Sequence, residues 1–104
     1  MHTTITARHC EVPTTLRERA LTILRRLTHF VSRAVSSAVI FDRNHAQQTV
    51  EVRLHVARGE VFVARGEAKD QRTALSRAER KLRRQIDKMF PRFRRRRRTS
   101  ALEP

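Results

Sequence analysis

The sequence predicts an α+β domain with element order β-α-β-β-β-α, a four-stranded sheet with two helices on one face. Three observations predict it. Residues 49–57, TVEVRLHVA, alternate between apolar and polar side chains, which is the period of a strand with one buried face. Residues 16–31 and 75–89 instead repeat their apolar side chains at intervals of three and four, the period of an amphipathic helix. The first helix falls between the first two strands and the second after the fourth. Strands one and two are therefore expected to be parallel across a helical crossover, and strands two to four to form an antiparallel meander.

Each element has its own signals. Residues 3–8, TTITAR, are rich in Thr and Ile and read as a short strand with Thr3, Ile5 and Ala7 on one face. Pro13 fits a helix start, and Thr15 with Glu18 has capping-box spacing. Leu16, Ala20, Ile23, Leu24, Leu27, Phe30 and Val31 form the apolar stripe of that helix, and Arg25, Arg26, His29 and Arg33 lie opposite. Residues 35–42, VSSAVIFD, make the second strand, and residues 44–48, NHAQQ, a polar turn. In the third strand Val50, Val52, Leu54 and Val56 face inward. Arg58 and Gly59 fit a two-residue hairpin loop in which Gly59 supplies a positive φ. With such a loop, Val61 and Val63 of the returning strand, residues 60–68, share the face of Leu54 and Val56.

Asp70 is placed to cap the last helix. Leu75, Ala78, Leu82, Ile86 and Met89 form its apolar stripe, and Pro91 ends it just after Phe90. The chain thus divides into one domain over residues 1–91 and a charged tail over residues 92–104. The tail's composition predicts disorder in isolation, with Phe90 and Phe93 anchoring the turn between tail and domain.

The totals point to a polyanionic partner. The 104 residues hold 24 Lys and Arg against 10 Asp and Glu, a net charge of +14. Residues 1–91 carry 18 of those bases and 9 of the acids, so the domain is basic without its tail. Only three of the basic residues are Lys. Arg binds phosphate through two parallel hydrogen bonds and stacks on bases, which favours nucleic acid over an anionic membrane. No stretch has the length and apolarity of a signal peptide or a membrane span, so a soluble cytoplasmic protein is expected. The single cysteine, Cys10, permits neither an internal disulfide nor a cysteine zinc site.

Catalytic chemistry finds no support. The five histidines are scattered without metal-ligand spacing, and two glycines make no phosphate-cradling loop. His9 and Cys10 are adjacent, and neighbours in an extended chain point to opposite faces, so they do not form a nucleophile pair. The expectation is no enzyme, no cofactor and no metal. The candidate binding residues are instead the outward cations: Arg25 and Arg26 on the first helix; Arg77, Arg80, Lys81, Arg84 and Lys88 on the last; and Arg92, Arg94, Arg95, Arg96, Arg97 and Arg98 of the tail. With neither Trp nor Tyr, recognition by shape and phosphate is favoured over base stacking.

These residues also carry a resemblance. ITARHCEV, residues 5–12, resembles the opening strand and first-helix entry of the bacterial ribosome hibernation-promoting factor family in its short form, also called ribosome-associated inhibitor A. TVEVRLHV is similar to that family's third strand. In KDQRTALSRAERKLRRQIDK, residues 69–88, Asp70, Ala74, Lys81, Leu82, Arg84 and Gln85 stand at positions matching its last helix. The resemblance covers about residues 2–90. It implies the fold deduced above, similar to double-stranded-RNA-binding domains. It also implies a non-catalytic factor that occupies the tRNA and mRNA channel of the small ribosomal subunit and silences translation under stress or in stationary phase. The implied partners are that subunit and its ribosomal RNA, with no membrane and no small-molecule substrate, and a monomer off the ribosome. Matching positions put Arg8, Arg26, Lys81, Arg84 and Lys88 on the RNA; Arg25, Arg77 and Arg80 follow from the helical stripes alone. The sequence departs from the family at Gln71 and Arg72, where Met-Tyr or Leu-Tyr is usual, at Arg83, where Glu is usual, and in its arginine tail. The alternative reading is a general RNA- or DNA-binding protein on the same scaffold.

Overall fold

A computed structural model describes residues 2–29, 31, 34–57 and 59–89. The elements are β1 (His2–Arg8), α1 (Thr14–His29), β2 (Ala34–Asn44), β3 (Gln47–Val56), β4 (Val61–Ala68) and α2 (Gln71–Met89). They form one sheet in the order β1-β2-β3-β4, with β1 parallel to β2 and the other neighbours antiparallel. The expected element order, crossover and meander are therefore all present.

Alternation decides the two faces of the sheet. Val39 and Phe41 of β2, Val50, Val52 and Leu54 of β3, and Phe62 and Ala64 of β4 point to one face. There they meet Ala20, Leu24 and Leu27 of α1 and Leu75, Ala78, Leu82 and Ile86 of α2 in a single core. Both helices start at the same end of the sheet, where the Gln71 side-chain amide donates to the carbonyl of Glu11 at 2.9 Å. The α2 start has the expected cap: an Asp70 carboxylate oxygen accepts from the backbone N–H and the hydroxyl of Thr73, each at 2.9 Å. At α1 the cap differs from expectation. The Pro13 carbonyl accepts the first helical bonds, from Leu16 and Arg17, so Pro13 takes the cap position and Thr15 lies inside the first turn.

Both hairpins differ from their expected form. Between β2 and β3 the strands continue to the Asn44–Gln47 pair, leaving only His45 and Ala46 to turn, with His45 at φ 57°. Between β3 and β4 the loop has three residues instead of two. Val56 donates to the Glu60 carbonyl at 2.9 Å, Gly59 donates to the Val56 carbonyl at 3.0 Å, and Gly59 takes φ 85°. One extra residue flips every side chain of β4. Phe62 therefore faces Leu54 in the core, while Val61 and Val63 lie across from His55 and Arg53 on the open face. Met89 also departs from its expected burial and is exposed at the end of α2.

The helix–sheet contact is closest at Gly66. A Cβ added there would collide with the Ala74 carbonyl oxygen and approach the Ala78 nitrogen to 2.6 Å. The backbone of α2 thus rests directly on β4.

Candidate nucleic-acid interface

The edge strand β4 fixes the orientation of α2. In an antiparallel pair alternate residues bond to the neighbouring strand. Because Glu60 bonds to Val56, the carbonyls of Val63 and Glu67 point away from β3 to the free edge. Both are met by α2 side chains: Gln85 donates to Val63 at 2.7 Å, and Arg77 donates to Glu67 at 2.6 Å. The flank of α2 bearing Arg77 and Gln85 is thereby turned over the β4 edge. Lys81, Arg84 and Lys88 lie within one helical turn of these on the same or the outward side. Arg77, Arg80, Lys81, Arg84 and Lys88 are all exposed. The five expected cations of α2 therefore do come together, as an outward ridge that overhangs one edge of the sheet.

One acidic neighbour, Glu79, is occupied elsewhere. Glu79 is held by Arg83 at 3.0 Å, one turn along the helix. Arg83 is thus engaged in an internal pair. On α1, Arg25 and Arg26 are exposed, as are Arg17 and Arg19, which lie outside the sequence-derived set. Arg72 in the first turn of α2 and Lys69 before it are exposed too. The signal that could have found three of them is simply that Arg17, Arg19 and Arg72 hold helix positions unused by the apolar stripes, while Lys69 directly precedes α2.

Arg8 stands apart. The parity that turns Thr3, Ile5 and Ala7 toward β2's core residues turns Arg8 to the open face, across from Asp42. There it lines a shallow hollow with Ile40, Asp42, Thr49, Glu51 and Arg65. The structure does not bring it together with the helix cations. Beyond it the chain turns at His9, φ 56°, whose Nδ1 donates to the Asp42 carboxylate at 3.1 Å. That bond, with a second from the Arg43 N–H, holds the Asp42 carboxyl below its ordinary pKa. Cys10 packs partly buried against the core, so His9 and Cys10 serve different surroundings.

The open face is electrically balanced. Its charged residues are Arg8, Arg53 and Arg65 against Asp42, Glu51 and Glu67. Two in-strand pairs, Arg53–Glu51 at 2.8 Å and Arg65–Glu67 at 3.7 Å, cancel most of the field locally. The excess positive charge of the domain is therefore concentrated on the helix side, where a phosphate backbone would be attracted and where no Phe ring is displayed among the described residues.

Among the described residues no group of three or more His, Cys, Asp or Glu is placed to hold a metal ion, and no helix is long and apolar enough to cross a membrane. Arg92, Arg94, Arg95, Arg96, Arg97 and Arg98, the helix stop at Pro91, and the side chains of Phe30 and Arg33 lie outside the described residues.

Comparison with known proteins gives a consistent result. Residues 3–94 match the family described as sigma 54 modulation protein / S30EA ribosomal protein. A ribosomal subunit interface protein from Coxiella burnetii has a similar structure, with TM-score 0.77 and 22% identity over 86% of this chain and 97% of its own. The N-terminal domain of Protein Y from Thermus thermophilus is similar at TM-score 0.74 and 19% identity, over 86% and 99% of the two chains. No curated protein sequence matches.

Proposed function

Because the chain belongs to the sigma 54 modulation protein / S30EA ribosomal protein family, we propose that it is a ribosome-binding factor that silences translation by occupying the tRNA and mRNA channel of the small subunit. The observation that carries this reading is the one-sided charge of the domain: an exposed ridge of Arg77, Arg80, Lys81, Arg84 and Lys88, with Arg25 and Arg26 on the neighbouring helix, opposite a balanced sheet face. Such a surface suits a folded RNA presenting phosphates from one side. Binding there is by charge and shape, and inhibition follows from occupied space, with no chemical step. The protein acts in the cytoplasm, and Arg92 and Arg94–Arg98 add phosphate contacts near the mRNA path.

Two measurements on the full chain test this. In sedimentation at physiological salt the protein should travel with small subunits and whole ribosomes. Spreading over free RNA instead would identify a general nucleic-acid binder. Peptide synthesis, titrated against the protein, should fall until about one copy per ribosome is bound and recover when tRNA and initiation components are added. Strong inhibition far below one copy per ribosome would point to turnover and remove the occlusion reading.

A further inference from the structure

The sheet has two edges, and α2 guards only one. At β4 the outward carbonyls of Val63 and Glu67 are taken by Gln85 and Arg77. The other edge is β1, and the register fixes which of its backbone groups point outward. Within a strand the N–H and C=O of one residue point to the same side, and successive residues alternate. Val56 bonds to Glu60, at the head of β4, so Thr49, Glu51 and Arg53 of β3 turn their backbone groups to β2. Their partners Asp42, Ile40 and Ala38 answer them, which leaves Ser37, Val39 and Phe41 to bond β1. In a parallel pair these three bond the residues on either side of their own partners, Thr3, Ile5 and Ala7. The backbone of Thr3, Ile5 and Ala7 therefore faces away from β2. Among the described residues no hydrogen bond reaches these outward groups, and the Thr3 hydroxyl is turned inward to Ser37.

Exposed edges are ordinarily blunted by Lys, Pro, a bulge or a covering element. From Thr3 to Ala7 this one reads Thr-Thr-Ile-Thr-Ala, with no charge and no Pro, in regular register with β2 along its whole length. Such residues suit a further pleated pairing. Arg8, at the end of the strand, is exposed and outside every salt bridge among the described residues. The occupant is selected by charge and by backbone. A second copy would bring another +14 to an already basic domain, whereas an acidic chain gains from the same field. A nucleic acid has no alternating row of N–H and C=O groups to match the edge.

We propose that the β1 edge is a strand-addition site for an extended acidic peptide, which becomes the fifth strand of the sheet. Its backbone bonds to Thr3, Ile5 and Ala7, and its carboxylates are drawn to Arg8. The site lies at the edge opposite the α2 ridge, so it stands independently of what that ridge binds.

The probe is a short synthetic peptide of alternating Glu and Val, blocked at both ends. It is titrated into the full chain while amide exchange is followed by nuclear magnetic resonance. At about ten times its Kd it should slow exchange of the Thr3, Ile5 and Ala7 N–H groups about tenfold. The Thr4 and Thr6 N–H groups, already bonded to β2, should not change. Ala7→Pro removes one outward donor and leaves the β1–β2 ladder in place, so it should weaken binding several-fold. The same peptide N-methylated throughout keeps its charge and loses its donors, and should give no protection. Equal protection by the methylated peptide would reduce the effect to charge and overturn the proposal. So would no protection by the parent peptide, protection by an oligouridylate, or protection that grows with protein concentration alone, which would assign the edge to a second copy.

Discussion

Gly59 and Gly66 are the chain's two glycines, and they are needed for opposite reasons. Gly59 has open space around it but takes φ 85°, a backbone conformation that other residues adopt only with strain. Gly66 needs no special backbone; it has no room for a side chain, because the Ala74 carbonyl and the Ala78 nitrogen occupy the place of its Cβ. Gly66→Ala must lift α2 from β4 and should cost about 1–3 kcal/mol, as overpacking does. Urea unfolding should show a lower midpoint at an unchanged slope. The first role was legible in the sequence, since an Arg-Gly pair between two strands signals a turn. The second was not: a strand glycine marks a close approach without saying what approaches. Asp70 gives a prediction in pH. Its bonds from the Thr73 N–H and hydroxyl hold its carboxyl below the ordinary value of 3.8. As the pH falls the unfolded chain takes up this proton first, so the contribution is complete above the ordinary value and is lost as pH falls through the lower folded value. Asp42 acts with the same sign through His9 and Arg43. Asp70→Asn keeps a competent cap without that titration. Thermal melts from pH 6 to pH 3 should show a smaller loss in this variant than in the parent.

At the level of elements, α2 does two jobs with two sides. One side buries Ala74, Leu75, Ala78, Leu82 and Ile86 against the sheet; the other presents the cation ridge. Neutralising Lys81, Arg84 and Lys88 together should therefore leave the fold intact while removing up to three phosphate contacts. Each lost contact should flatten the log–log salt dependence of ribosome binding by roughly 0.7–0.9. An unchanged slope would mean that this ridge does not face RNA. Arg77 is left out of the triple variant because its bond to Glu67 also closes the β4 edge, so its loss would mix binding with stability. The helices and strands themselves were legible because their periods, 3.6 and 2, survive in the apolar residues. What periodicity could not give was where the pattern stops serving the core. Met89 continues the stripe of Leu82 and Ile86 to the last residue of α2 and is exposed there. Val61 and Val63 look like core residues until the whole of β4 is considered. Turning them inward would bury Arg65 and Glu67 as well, whereas the observed face buries Phe62, Ala64, Gly66 and Ala68. The loop length, one residue longer than expected, follows from that choice.

For the whole molecule, the parity of β1 already separated Arg8 from Ile5 and Ala7, yet which sheet face the helices would cover is a property of the assembled fold. That is why a list of basic positions could not show that Arg8 lies opposite the helix ridge. It also defines what the arginine tail has to do. With one basic side and one balanced side, the domain is already oriented toward a polyanion, so Arg94–Arg98 can act either before contact or after it. If they act before, they raise the local attraction and speed encounter. If they act after, they hold phosphates and slow escape. Deleting residues 94–104 separates the two. The clamping role proposed for these arginines predicts faster dissociation from small subunits, with a shallower salt dependence that reflects several lost contacts at roughly 0.7–0.9 each. A pure steering role predicts slower association with an almost unchanged off-rate. If neither rate changes, the tail takes no part in ribosome binding, and the domain's helix ridge alone must supply the affinity.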